Sequence, residues 1–234
     1  MEFVHRRIVG KIGLLQPKVH CITNGVAQAL TAHALVALGA VPMMSAHPAE
    51  IVELARSADS VLINLGMLEP PREEGLLKLA ARLGELDCAL VLDPVMAHRS
   101  AFRTNLAGRF LGYEKLVVKG NQDEIEYLAR SLQENCIVAT TGAQDIVHSA
   151  GLCRTITGGH PLAARISGNG CLAGALIAAC AAVEPDLGVA TEAGLFLMRE
   201  AAALAGSECP GPGTFLAKLV DAIAQIGHES AGYG

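Results

Sequence analysis

Short apolar runs, each closed by a glycine or by Asp-Pro, alternate with helix-like stretches along most of this chain. That alternation limits what it can fold into more than any other feature. Ser60–Leu65 is followed by Gly66, Cys88–Leu92 by Asp93-Pro94, Leu116–Lys119 by Gly120, and Cys136–Thr140 by Thr141-Gly142. The runs are almost continuously apolar, so both faces of each strand must be covered, as in a parallel sheet. Val41–Ser45 reads as a further short strand, and Asp145–His148 with Leu152–Ile156 as a hairpin around Ala150-Gly151. Helices are expected over Asn24–Leu38, Pro48–Ala58, Pro70–Leu86 and Asn121–Leu132, and Ala/Leu-rich ones over Gly168–Val183, Asp186–Gly206 and Gly213–Ile226. The expected fold is α/β: a mostly parallel central sheet with helices on both faces, in one domain over 1–234.

Composition removes several classes of function. With 51% hydrophobic and 18% charged residues the chain is not disordered. A net charge of −5, no Lys/Arg block and 3% aromatics argue against nucleic acid as a partner. Apolar stretches are interrupted too often for a membrane span, and Met1–Leu15 lacks the continuous apolar centre of a secretory signal. Seven cysteines without a CxxC pair give no zinc spacing, so reduced thiols in a cytoplasmic protein are expected.

In parallel sheets ligands bind beyond the C-terminal strand ends. Ser167-Gly168-Asn169-Gly170-Cys171 leads into an apolar helix. Two glycines permit close backbone approach, and the helix start offers free N–H groups to an anion. Cys171 falls in the first turn, where a thiol pKa is expected to drop. A plain Gly/Asn loop before a buried helix explains the same residues. Lys119 suits a phosphate and Glu124 a Mg²⁺ ion, yet Asn121 with Glu124 three residues on is also a capping box. Asp93 suits a metal or a substrate hydroxyl, or simply a turn before Pro94. Asn24 and Gly66 are candidates for ligand contact, Asn24 equally for a helix cap, and Met44 for packing on a flat ring or in the core. Their shared placement on one rim points to phosphoryl transfer onto a small neutral alcohol.

Several segments together resemble the hydroxyethylthiazole kinases of thiamine salvage, in order along nearly the whole chain. They include Val19-His20-Cys21-Ile22-Thr23-Asn24, Ala37-Leu38-Gly39-Ala40, Leu92-Asp93-Pro94-Val95, Lys119-Gly120-Asn121, Thr141-Gly142, Gly159-His160-Pro161-Leu162, Gly168-Asn169-Gly170-Cys171 and Gly211-Pro212-Gly213-Thr214-Phe215. The resemblance implies a ribokinase-like fold, a homotrimer, and a thiazole alcohol touched by Met44 and Gly168. It further implies ATP touched by Lys119 and Thr141, with Asn121 on the same side, Mg²⁺ served by Asp93 and Glu124, and Cys171 beside the substrate hydroxyl. Three departures stand out. Met96-Ala97-His98-Arg99 replaces a Gly-Ala-Gly stretch and is expected to narrow the nucleotide side. Lys119 replaces an arginine, and Asn169 a threonine or alanine. The stretch between Glu124 and Thr141 is also short, which would trim a helix near ATP.

Two other readings fit the same residues. One is a dehydratase that repairs hydrated nicotinamide cofactors, a reaction known among ribokinase-like proteins. The other is a decayed kinase that binds its ligand without turnover.

Overall fold

The computed structural model describes residues 1–133 and 136–233. Its sheet has eight strands in the order β2-β1-β3-β4-β5-β6-β7-β8. They are β1 (Lys18–Ile22), β2 (Val41–Met43), β3 (Ser60–Asn64), β4 (Ala89–Asp93), β5 (Leu116–Asn121), β6 (Ile137–Thr141), β7 (Asp145–Ser149) and β8 (Leu152–Ile156). The first six pair in parallel, and β7 and β8 close the sheet antiparallel. Six parallel strands in one register bring six chain ends to one rim.

The central strands alternate between two cores. Leu62, Val91 and Val117 point into one, and Val61, Ile63, Leu90, Leu92 and Val118 into the other. Helices α1 (Glu2–Leu15), α2 (Gln28–Leu38), α7 (Asn169–Ala181), α8 (Leu187–Gly206) and α9 (Pro212–Ser230) cover the first core. Helices α3 (Ile51–Ser57), α4 (Pro70–Ala80) and α5 (Ala101–Gly108) cover the second, and α6 (Gln122–Leu128) follows β5. Every residue from Leu172 to Ala181 is buried. A helix apolar on all sides has to be enclosed, and α7 lies on β1, β3 and β4 beneath α2 and α8. Small residues allow this. A Cβ on Gly194 of α8 would come within 2.6 Å of the Ile177 backbone of α7.

Several expected boundaries shift. Lys18–Ile22 is a strand, although His20 and Cys21 read as the opening of a helix. The helix expected from Asn24 starts at Gln28, because Asn24 Oδ1 accepts from the amides of Val26 and Ala27 and heads a turn instead. The helix expected over Pro70–Leu86 stops at Ala80 and yields to a 3-10 turn, and the one from Pro48 begins at Ile51. The helix expected over Asn121–Leu132 ends at Leu128 and also passes into a 3-10 turn. Helices α1 and α5 were not expected from the sequence. The short Glu124–Thr141 connection includes residues 134 and 135, which lie outside the described residues.

Candidate active site

The rim gathers most of the expected residues around one buried polar network. Asp93 ends β4 and is 2% exposed. Lys119, on β5, is 3% exposed and places Nζ 3.2 Å from Asp93 Oδ2. Asn64, at the end of β3, donates to Asp93 Oδ2 at 2.9 Å and to Cys171 Sγ at 3.1 Å. Asn24 donates to Asn64 Oδ1 at 3.0 Å, and so does the amide of Gly66. At Gly66 a Cβ would sit 3.1 Å from Asn24 Nδ2, so a side chain there would press on the network. Sequence reasoning missed Asn64. The signal was present: it is a lone amide at the tip of an otherwise apolar strand.

Gly168 caps α7 with φ 84, a left-handed conformation that glycine adopts without strain. Its carbonyl accepts from Leu172 N at 2.9 Å, so the amides of Gly170 and Cys171 precede the first helical bond and face outward as donors. The glycine loop leading into a helix start, as expected from the sequence, is therefore present. A Cβ on Gly170 would lie 3.3 Å from Lys119 Nζ. Lys119 thus sits under the loop and against Asp93.

The Cys171 thiol departs from expectation. Burial raises its pKa, and the charge of Asp93 adds to that. Lys119 and the amides of Asn24 and Asn64 pull it down, but by less. Desolvation outweighs the helix start, so the thiol is protonated near neutral pH.

Glu124 is 5% exposed and forms the capping box with Asn121: its Oε2 accepts from Asn121 N at 2.9 Å, and Asn121 Oδ1 accepts from Glu124 N at 3.0 Å. Glu124 Oε1 also accepts from Met96 N at 2.7 Å, pinning a residue with φ 58. The capping role is real, and it leaves carboxylate lone pairs over. Asp93 and Glu124 are hard oxygen donors that both act on Lys119 electrostatically. That fits a Mg²⁺ ion taking one or two carboxylates plus phosphate oxygens and water. Among the described residues no cluster of three or more His, Cys, Asp or Glu would hold a metal alone, so phosphates would have to supply the remaining ligands.

Two cavities flank the loop. One, of about 410 Å³, is lined by Thr23, Gly25, Gln28, Met44 and Arg72 among others. The other, of about 650 Å³, is lined by Thr141, Gly142, Gly159, Asn169, Gly170 and Ala173 among others. Met44 and Thr141, expected to serve different ligands, thus fall in different cavities. Arg199, also unanticipated, walls the second. It makes a two-point pair with Asp145 at 2.6 and 2.7 Å and donates to the carbonyls of Gly142, Ala143 and Gly158. Met96 is half exposed, and among the described residues Met96–Arg99 lines neither cavity.

Fold and rim together define a ribokinase-like α/β protein with a two-sided cleft. The sequence profile of the Hydroxyethylthiazole kinase family matches residues 9–135 and 128–229, and the chain belongs to that family. It is 38% identical over 232 residues to a hydroxyethylthiazole kinase of Granulibacter bethesdensis, covering 89% of this chain and 85% of the relative. It is 36% identical to one of Pyrococcus furiosus, over 91% and 89% of the two chains. Among solved structures, the hydroxyethylthiazole kinase protein of Pyrococcus horikoshii superposes with a TM-score of 0.88 at 35% identity, covering 96% of this chain and 94% of that one. An ADP/ATP-dependent NAD(P)H-hydrate dehydratase of Bacillus subtilis, at TM-score 0.64, 14% identity and coverage of 93% and 91%, shares the fold alone.

Proposed function

We propose that this chain transfers the γ-phosphoryl group of ATP to the hydroxyl of 4-methyl-5-(2-hydroxyethyl)thiazole. One observation carries the reading. The buried Asp93–Lys119–Asn64–Cys171 network lies at the start of α7; Gly170, against which Lys119 packs, lines the cavity that holds Thr141, and Thr23 and Gly25, on either side of Asn24, line the one that holds Met44. The thiazole alcohol occupies the first cavity and ATP the second. The acceptor oxygen then meets the γ-phosphorus below the amides of Gly170 and Cys171.

The bond from the acceptor oxygen to phosphorus forms as the bond to the β–γ bridging oxygen breaks, and the hydroxyl proton passes to a phosphoryl oxygen and then to water. The protonated Cys171 thiol cannot remove that proton first; it positions the hydroxyl. A loose phosphoryl transfer tolerates late proton loss and depends on positioning and charge. Lys119 and the loop amides supply the fixed positive field. Mg²⁺, held by Asp93 and Glu124 together with the phosphates, would neutralise charge on the transferring group.

The same reading takes 1–234 as one kinase domain, assembled as a homotrimer in the cytoplasm. The described cysteines are all free, which accords with a reducing compartment. The fold-level likeness to the dehydratase gives that alternative no further support.

The test is direct. Purified protein with Mg-ATP and the thiazole alcohol should release ADP and form the phosphate ester, read by a coupled assay and by mass spectrometry. ADP release without ester, or neither at millimolar alcohol, sinks the proposal.

A further inference from the structure

Arg72 stands out as a buried cation that no group of the protein answers. It occupies the third position of α4 and is 8% exposed, yet Nε and Nη2 have no hydrogen-bond partner. Buried guanidinium groups are almost always paired, because an unsatisfied charged donor costs more than a neutral one. Its placement aggravates the problem. A cation in the first turn of a helix opposes the helix dipole, and Arg103 adds like charge. Glu69, the carboxylate with most influence on it, is exposed and makes no ion pair with it among the described residues.

Arg72 lines the acceptor cavity together with Met44 and Glu69. Thr23 lines it too, and its Oγ1 is likewise buried without a partner. Arg72 also lies near enough to Cys171 for the two groups to influence each other electrostatically. The N-terminus of α4 is not itself the donor. Pro70 and Pro71 fill its first two positions and carry no N–H. The binding capacity resides in the side-chain fork of Arg72 and the hydroxyl of Thr23.

We propose that Arg72 and Thr23 form a receptor for the phosphate monoester that the reaction creates on the acceptor side. This rests on the proposed kinase reaction and adds a product-binding role to it. The neutral alcohol offers a guanidinium only uncharged acceptors, its hydroxyl oxygen and ring nitrogen, and no anion. Once the acceptor oxygen is bonded to phosphorus and ADP has separated, the acceptor carries about −1.5 to −2 charge. An arginine fork pairs with two phosphate oxygens bidentately. Arg72 therefore discriminates product from substrate and draws the new ester away from ADP.

The experiment compares wild type with Arg72→Gln and Thr23→Val. It measures the Kd of the purified thiazole phosphate by calorimetry, the KM of the neutral alcohol, and the melting shift caused by orthophosphate alone. Arg72→Gln should weaken ester binding roughly 10- to 100-fold while the KM of the alcohol moves less than about threefold. Thr23→Val should weaken ester binding by a few fold. Arg72→Lys, which keeps charge without the fork, should fall between and covers the case in which the glutamine variant does not fold. Unchanged ester affinity overturns the inference, as does an equal loss for alcohol and ester. Dissociation of an oligomer in Arg72→Gln with ester affinity intact overturns it too, because the guanidinium then serves a subunit contact. If wild type shows no kinase activity the functional proposal fails separately. An orthophosphate melting shift present in wild type and lost in Arg72→Gln would still establish the anion site.

Discussion

Lys119 Nζ lies 3.2 Å from Asp93 Oδ2, and both side chains are almost wholly excluded from solvent. Burial alone lowers the Lys119 pKa, but the charge of Asp93 and the hydrogen bond to it outweigh that, so the net shift is upward. Asp93 keeps Lys119 charged and fixed directly under the Gly168–Cys171 loop, which a mobile surface lysine would not be.

Removing one partner leaves the other charged and buried, so Lys119→Met should lose about 3–5 kcal/mol in urea unfolding. The sign of the pH dependence follows from the raised folded pKa. The lysine's contribution is fully present below its unfolded pKa of about 10.4 and is lost as pH rises through the higher folded value. The gap between wild type and Lys119→Met should stay constant from pH 7 to 9 and narrow only above about pH 10. A gap that closes below pH 9 would contradict the pairing.

Cysteine reactivity should separate by burial. Cys153 is exposed, Cys171 lies in the cleft with a raised pKa, and Cys21 and Cys180 are buried with pKa values pushed up to about 12. Mass mapping after brief iodoacetamide treatment at pH 7.5 should find Cys153 alkylated well ahead of Cys171, and Cys21 and Cys180 untouched. Rapid alkylation of Cys171 at that pH would mean a thiolate and would restore it as a base.

Arg199 ties α8 to the turn after β6 and to Gly158, which together wall the cavity that holds Thr141 and is proposed for ATP. Its partner Asp145 is 4% exposed. Arg199→Met should cost about 3 kcal/mol through the stranded carboxylate and raise the KM for ATP more than that for the alcohol. Arg199→Lys should restore part of the stability but little of the ATP affinity, because lysine cannot span a carboxylate and three carbonyls at once. Equal effects on both KM values would place Arg199 outside the nucleotide side.

Gly194→Ala should be among the most damaging single-methyl changes in the chain. The added carbon would fall 2.6 Å from the Ile177 Cα, which is backbone and cannot rotate away. Separating α8 from α7 should cost about 1–3 kcal/mol. Gly213→Ala, at a position where a Cβ meets nothing within 4 Å, should be nearly silent in the same thermal unfolding assay.

Much of the fold was legible because its signals are local. Continuous apolar runs closed by Gly66 and Asp93-Pro94 marked strands, the strand expected to stop at Gly120 runs on to Asn121, and the Ala150-Gly151 hairpin was readable outright. Lys18–Ile22 was not, because His20 interrupts its apolar run; the interior histidine is tolerated because its Nε2 bonds to the carbonyl of Ser45 at 2.7 Å. The helix before Gly39 was clear, but its start was not. An Asn24 that caps a turn and an Asn24 that caps a helix look the same in one dimension.

The candidate site divides along the same line. The sequence alone determined the strand-end positions of Asp93, Lys119 and Thr141, the glycine loop ahead of α7, and the family, since each is a short-range pattern in chain order. Only the tertiary structure decided what those residues do to one another. It paired Lys119 with Asp93, brought in Asn64, turned the Cys171 thiol upward in pKa, set Met44 and Thr141 in opposite cavities, and left Arg72 buried and unanswered. The physical reason is that desolvation and Coulomb interactions depend on distances across the sheet, and those distances exist only once six parallel strands are in register.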